Sequence, residues 1–340
     1  MSKEDQSPYQ RLADLLIGAK LAIALRAMAE YRIADKLANG PMQVDALARE
    51  TGLAPEPLRR VLRGLAQFDV FRETADGRFE NSNVSEYMRE DAVQSLRAAV
   101  LFLNHDVSLR AWLELEETLK DGRSRFVDVN GAALFKLFDA DERLNNYFTK
   151  CMVDLYGAEA AKIAVGYPFG QFENIIDIGG GQGHILAAIL AAHKGLRGTL
   201  FDIAPTAALA RDFLRDRGLS DRCDVVGGDF FSAIPRGYDA YLVKSVLHDW
   251  DDAKATEILK RCREVMAENS RLLIIEEIIT PGQVVGNTNR FVDLDLLIHF
   301  GGKERTKSDY CGIMRSAGFS LKDIVPVKDS FFSVVEGIPT

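Results

Sequence analysis

From Asn174 onward the sequence repeats one unit: a short apolar run, a turn carrying glycine or an acid, then an amphipathic helix. This pattern constrains the fold most, because strands joined by helical crossovers pair in parallel and are buried on both faces. The apolar runs are 175–178, 198–201, 223–226, 240–246 and 272–279. Helical patterns fill 185–192, 206–217 and 253–266 between them. The expected architecture is a doubly wound parallel α/β sheet. Its end differs. Thr306 and Ser308 suit the start of a helix that stops at Gly318. The strands 321–327 and 331–335 follow with only Lys328-Asp329-Ser330 between them, and so short a link forces an antiparallel hairpin.

The first third reads as helical. Leu12, Leu15, Leu16, Ala19, Ile23, Leu25 and Met28 form a broad apolar stripe at helical spacing. A short helix over 44–49 is closed by Thr51-Gly52, and Pro55-Glu56-Pro57 precedes a second helix over 58–68. Segments 70–73 and 78–79 flank a turn at Asp76-Gly77 and read as a hairpin. Helix, helix and hairpin in this order make a winged helix. Arg59, Arg60 and Arg63 on its second helix invite a DNA-binding reading. Charge opposes it. Residues 1–95 hold 13 Lys plus Arg against 15 Asp plus Glu, and the 340-residue chain carries a formal charge of −8, whereas phosphate binding needs clustered cations. A dimerisation or substrate-capping role fits better, and the apolar stretch supports dimerisation, since a helix apolar most of the way round needs a second partner. A homodimer through the N-terminal helices is therefore expected.

Residues 96–172 are helical and rich in aromatics, Trp112, Phe138, Tyr147, Phe148 and Tyr156 among them. The expected division is a winged-helix dimerisation domain over 1–95, a helical linker and pocket segment over 96–172, and a cofactor-binding catalytic domain over 173–340. The best apolar window, 15–28, is interrupted by Lys20 and Arg26, so no helix is expected to span a membrane. The polar N-terminus MSKEDQSPYQ lacks a signal-peptide core. Cys151, Cys223, Cys262 and Cys311 form no CxxC pair, which suits reduced thiols and a cytoplasmic location. The five histidines form no HExxH or HxH pair, so no metal site is expected.

Asp177-Ile178-Gly179-Gly180-Gly181-Gln182-Gly183 follows a strand and opens a helix. Glycines there let the backbone approach a ligand and aim N–H groups at it. A dinucleotide fingerprint would need a third glycine at position 184, which is His184. An acid ahead of the loop would repel a pyrophosphate and suits an ammonium, which argues for S-adenosylmethionine over NAD. Asp202, ending the next strand, can accept ribose hydroxyls. Asp229 in Gly228-Asp229-Phe230-Phe231 can accept from an adenine amino group while an aromatic stacks on the ring. Helix capping is the alternative role for both acids.

Leu247-His248-Asp249-Trp250-Asp251-Asp252 ends the fourth strand, at the sheet edge where α/β folds bind ligands. Here the chain resembles the S-adenosylmethionine-dependent small-molecule O-methyltransferases of the caffeic-acid, hydroxyindole and antibiotic-tailoring type. DIGGGQG, FDIAP, GDFF, LHDWDD and GGKERT carry the resemblance, in that order over nearly the whole chain. It implies a Rossmann-like methyltransferase sheet, a winged dimerisation module, S-adenosylmethionine as cofactor and an aromatic small-molecule acceptor. It also implies His248 as general base, with Glu276 and Glu304 as the carboxylates beside it. Glu277 is the alternative to Glu276, because strand alternation turns only one of them to the site. Gly179, Asp202, Asp229, Phe230 and Lys244 match cofactor-binding positions. Asp177 and Gly181 join them from the loop reading. Phe148 and Met152 match acceptor-pocket positions, and Phe300 lies in the second stretch expected to line that pocket. Tyr156 falls where plant members tend to have a serine near the methionine carboxylate.

The chemistry is consistent with these assignments. A sulfonium methyl is already activated, so the protein must place the acceptor oxygen and remove its proton. A phenol titrates near pKa ~10 and a free histidine near ~6.5, a workable donor and base. A carboxylate on the imidazole fixes its tautomer and stabilises the imidazolium. Asp251 and Asp252 read as the cap and first-turn acids of the next helix. The alternatives are a Mg²⁺-dependent methyltransferase using Asp249, a winged-helix regulator without catalysis, a NAD oxidoreductase, and transfer to N or C in place of O.

Overall fold

The computed structural model describes residues 7–282 and 289–340. It divides into two compact units. One runs up to Leu113 and adds Val129–Leu155; the other comprises Glu114–Asp128 and Tyr156–Thr340.

In the first unit the apolar N-terminal stripe forms two helices, Pro8–Leu15 and Gly18–Glu30. Ser7 caps the first by accepting from the Gln10 amide, and Pro8 takes the first turn, where its missing N–H costs nothing. The break falls just before Gly18, a poor residue for a helix interior. Tyr9, Leu12, Leu15, Leu16 and Ile23 are all exposed, so the outer side of this pair is apolar. The helix Val44–Thr51 stops at Gly52, whose φ of +71° favours glycine. The next helix, Pro55–Ala66, begins three residues before the sequence expectation, because both prolines fit in its first turn. β1 (Phe71–Glu73) and β2 (Phe79–Asn81) pair antiparallel as the wing. Leu47, Leu62, Leu65, Phe71 and Phe79 form a dry core beneath it. Each arginine of the second helix faces a carboxylate: Arg63 bonds Glu73 at 2.7 and 2.8 Å, Arg59 lies 3.8 Å from Asp45 and Arg60 3.8 Å from Glu56. Each of these cations thus has an acidic neighbour within the module.

The second unit is built on β3 (Asn174–Ile178), β4 (Arg197–Asp202), β5 (Cys223–Gly227), β6 (Ala240–Lys244) and β7 (Arg271–Ile279). β8 (Arg305–Thr306), β9 (Phe319–Pro326) and β10 (Phe332–Pro339) complete it. The order is β5-β4-β3-β6-β7-β10-β9, parallel through β7. The closing hairpin is longer than expected. Its second strand lies inside, antiparallel to both β7 and β9. β8 adds two residues in parallel to the far end of β7, at Ile278 and Ile279, a pairing too short to leave a sequence signal. One sheet face packs Ile176, Tyr241, Val243, Leu272 and Ile274 with Ile258, Leu259, Ile313 and Met314 of two helices. The other packs Ile175, Leu242, Leu273 and Ile275 with Leu186, Ile189 and Leu190. These runs are apolar on both faces, as a covered parallel sheet requires.

Helix starts follow the sequence. Asp251 caps Asp252–Val265 through the Lys254 amide, and Thr306 with Asp309 forms a capping box on Lys307–Ser316. Among the described residues no helix is long and apolar enough to cross a membrane.

Leu62 is fully buried at the centre of the winged module. Leu62→Ala should cost about 2–5 kcal/mol by transfer and cavity terms, and urea unfolding would show the loss as a lower first midpoint.

Candidate active site

The carboxyl ends of β3, β4, β5 and β6 carry nearly all the sequence-flagged polar residues, as the crevice rule for open α/β sheets requires. After β3 the loop turns through three left-handed glycines, Gly179, Gly181 and Gly183, with φ of +69°, +58° and +89°. Space demands glycine as well. A Cβ on Gly179 would stand 2.7 Å from Val246 Cγ2, and one on Gly180 would stand 2.7 Å from Asp177 Oδ2. Asp202, ending β4, accepts the Gly181 amide at 2.8 Å and the Ile203 amide at 2.7 Å. It therefore ties the glycine loop to the neighbouring strand. The N-cap of the following helix is Ile203, so Asp202 is not its cap. Asp229 closes an Asx turn on the Phe231 amide at 2.9 Å and takes the Ser232 hydroxyl at 3.0 Å. Phe230, Phe231 and Trp250 form an aromatic corner beside it, with ring centroids 4.9 Å apart from Phe230 to Phe231 and from Phe231 to Trp250.

Asp177 is fully buried beneath this loop, and neither of its oxygens has a hydrogen-bond partner. Burial, with the nearby Asp202 charge, raises it to about 7. Lys244, ending β6, stands 4.7 Å above the Phe332 ring and 5.5 Å above that of Tyr156. Burial lowers it to about 8, against the pull of Asp177, Glu276, Glu304 and Asp249. An orphaned buried carboxylate asks for a cation. The sulfonium and ammonium of S-adenosylmethionine supply two. Asp177, Asp202, Asp229, Lys244 and the glycine backbone thus fit the group.

His248 sits on a single helical turn, Leu247–Asp249, immediately after β6. The strand ends at Lys244, two residues before the sequence expectation, because Ser245 adopts a φ of +50°. That strained residue turns the next amides inward. Glu276 of β7 receives them. Its Oε1 accepts from the amides of Val246 at 3.1 Å, Leu247 at 2.8 Å and His248 at 3.3 Å, and its Oε2 accepts the Tyr310 hydroxyl at 2.5 Å. Glu276 is fully buried, whereas Glu277, the other alignment, is only half-buried.

The imidazole itself meets Glu304, whose Oε1 lies 2.9 Å from His248 Nδ1. Glu304 is held in turn by its amide donating to Asp293 at 2.7 Å. Asp249 Oδ1 lies 3.7 Å from His248 Nε2. Burial alone would lower the imidazole, but Glu276, Glu304 and Asp249 outweigh it and raise it to about 9. Burial raises Asp249 to about 6. Two residues of this site carry no assigned role in the sequence reading, although Arg305 lies within the GGKERT stretch. Arg305 is fully buried, and its guanidinium donates to the carbonyls of Leu247 at 2.7 Å and Trp250 at 2.6 Å and to Asp252 at 3.0 Å. Tyr310 looks like one more core residue of an apolar helix stripe until its hydroxyl is placed. Gly302 is the third surprise: a Cβ there would lie 2.0 Å from the His248 carbonyl oxygen.

His248, Glu276 and Glu304 approach closely enough to suggest a metal site, with one ligand atom of each within 4.8 Å of the others. The Glu276 oxygens are already taken by four donors, however, and Nδ1 by Glu304. Of the proposed pocket residues, Phe300 ends the helix Asn289–Phe300, half-buried beside His299. Phe148 and Met152 lie on the helix Glu142–Gly166, within the first unit. There Phe148 stacks on Phe138 at 4.8 Å and meets Phe102 edge-on at 5.1 Å.

Known proteins share this layout. Residues 112–320 match the model of an O-methyltransferase domain, and residues 13–91 that of an O-methyltransferase dimerisation domain. The mitomycin biosynthesis 6-O-methyltransferase of Streptomyces lavendulae is 36% identical over 324 residues, 95% of this chain and 92% of that one. An 8-amino-8-demethylriboflavin N,N-dimethyltransferase of Streptomyces davaonensis is 33% identical over 336 residues, 98% of this chain and 96% of that one. An O-methyltransferase from neocarzinostatin biosynthesis, solved with S-adenosylmethionine and 2-hydroxy-5-methyl naphthoic acid, superposes with a TM-score of 0.86 at 30% identity, covering 99% of this chain and all of that one. By sequence and by fold alike, the chain belongs to the S-adenosylmethionine-dependent small-molecule O-methyltransferases.

Proposed function

We propose that the chain methylates a phenolic hydroxyl of an aromatic secondary metabolite, with His248 as the general base. The observation that carries this reading is the 2.9 Å bond from His248 Nδ1 to Glu304 at the carboxyl edge of the sheet. That bond leaves Nε2 as the ring nitrogen able to take a proton. Bound S-adenosylmethionine supplies a methyl group already activated for in-line displacement. The chain's own task is to orient the acceptor and receive its proton. Nε2 accepts the hydroxyl proton while Nδ1–H stays on Glu304, which stabilises the imidazolium. A conjugate acid at about 9 is close to a phenol at ~10, so the proton moves between nearly matched groups. The raised value also means that the base form gains population as pH rises.

Under the same reading, Asp177, Gly179, Gly181, Asp202, Asp229, Phe230 and Lys244 hold the cofactor. Phe300 meets the acceptor from the second unit, while Phe148 and Met152 are carried over as matches to the family's acceptor-pocket positions. Residues 1–95 serve dimerisation, 96–172 the pocket, and 173–340 cofactor binding and catalysis. The exposed stripe Leu12, Leu15, Leu16 and Ile23 supports a homodimer through the N-terminal helices. A cytoplasmic location is supported by the four cysteines, three of them buried and none spaced as a CxxC pair. The N,N-dimethyltransferase relative favours one second reading, an aromatic amine acceptor, for which a strong base matters less.

His248→Ala should lower turnover of a phenolic acceptor by about 10²–10⁴-fold with cofactor affinity retained. Full activity in a stopped methyl-transfer assay would remove the histidine from the chemistry. A loss under tenfold, confined to hydroxyls and absent with arylamines, would favour the amine reading. In the wild type, kcat/KM should climb with pH and level off as His248 loses its proton, near 9 or below it where the bound cation disfavours the imidazolium. Asp202→Ala should weaken S-adenosylmethionine about tenfold or more in calorimetry while leaving the acceptor KM near its original value. Leu15→Glu with Leu16→Glu should convert a dimer into monomers by light scattering; a wild-type monomer at micromolar concentration would refute the assembly.

A further inference from the structure

The imidazole of His248 is bonded by Glu304, but the backbone that carries it is held by other groups. Leu247–Asp249 is one isolated turn, too short to be stable by itself. Its amide end is gathered by Glu276, whose Oε1 takes three successive N–H groups. Its carbonyl end is gathered by Arg305, which bonds the carbonyls of Leu247 and Trp250, and by the Lys303 amide, which donates to the His248 carbonyl at 2.9 Å. The last link is Tyr310. It is fully buried on the helix Lys307–Ser316, and its hydroxyl donates to Glu276 Oε2 at 2.5 Å. Burial and the charges of Glu276 and Glu304 push its pKa well above 10, so it remains a donor at any working pH.

We infer that Tyr310 and Arg305 are positioning residues for methyl transfer, acting together on the His248 turn through Glu276 and through the backbone carbonyls. A carboxylate with two oxygens and no packing partner could rotate about its last torsion. The Tyr310 bond fixes one oxygen and so fixes where the other presents itself to the three amides. Arg305 is planar and forked, so its two bonds set the spacing of the Leu247 and Trp250 carbonyls on either side of His248. Together they determine the height and tilt at which Nε2 meets the acceptor hydroxyl. Neither touches the reacting atoms. Neither role is replaceable by volume or charge alone.

The inference rests on His248 being the base, and the test separates the two. Tyr310→Phe keeps the ring and removes one oxygen; Arg305→Lys keeps the charge and removes the fork. Each is assayed beside His248→Ala with a set of naphthols and hydroxynaphthoates that differ in hydroxyl acidity. The expected result for Tyr310→Phe is a kcat about tenfold lower for weakly acidic hydroxyls, the scale of a misplaced reacting group, with both KM values within about twofold. The defect should shrink as the hydroxyl becomes more acidic, in parallel with His248→Ala, because an ionised acceptor needs no base. Arg305→Lys should show the same trend with a larger loss, and thermal melting identifies it if it merely unfolds. An unchanged kcat in Tyr310→Phe, or a defect equal across all acceptors, overturns the positioning role while leaving His248 as base. If His248→Ala itself shows no dependence on acceptor acidity, the base assignment fails and this inference falls with it.

Discussion

A single buried carboxylate organises the catalytic edge of this protein. Glu276 is removed from water near the carboxyl end of β7, where an unsatisfied charge would cost several kcal/mol. Four donors satisfy it, three of them consecutive backbone amides. The chain can present three amides to one oxygen only by leaving the strand abruptly, and the positive φ of Ser245 is where it does so. The His248 turn is therefore less a helix than a loop folded around an anion, in the manner of a backbone nest. Once it is set, the carbonyl side follows: Arg305 is drawn fully inside, Gly302 must lack a Cβ, and Lys303 closes on the His248 carbonyl.

The same edge divides its charges by function. Glu304 bonds the imidazole and Asp249 faces Nε2, so acids surround the His248 ring and keep it protonated more readily than in water. On the glycine-loop side, Asp177 has no partner and Asp202 is half used by amides. On the proposed reading, a ligand that is cationic at both its sulfonium and its ammonium answers that imbalance, where a pyrophosphate would not. Lys244 is the counterweight. Held over two aromatic rings and near several acids, it is still weakened as a cation by burial, to about 8.

Outside the site the structure is economical. The winged module in another setting would offer its arginines to nucleic acid, but here each pairs with an acid. The same unit leaves an apolar surface exposed on its first two helices. The family resemblance and the physics agree about that surface, because the matching domain is one of dimerisation.

Much was legible in the residues themselves. The alternation of apolar runs and helical patterns determined the parallel sheet, the short Lys328-Asp329-Ser330 link determined the antiparallel hairpin, and Asp251 and Thr306 announced their helices. The glycine loop, Asp202, Asp229 and His248 stood out because local chemistry marks them: left-handed backbone, acids at strand ends, a titratable ring at a crevice. Other features depended on long-range pairing, which no local pattern encodes. The sequence could not choose between Glu276 and Glu277, since alternation is symmetric until one face is buried. Nor could it show that β10 slots between β7 and β9 or that β8 exists, because two-residue pairings and strand order carry no periodicity. GGKERT marked Arg305 as part of a shared stretch without showing its partners, and nothing marked Tyr310 as more than core. Only the tertiary structure brought those side chains across some 30 to 60 residues of chain to the turn that carries His248, and hydrogen bonds made at that range are decided by where the fold places their backbone.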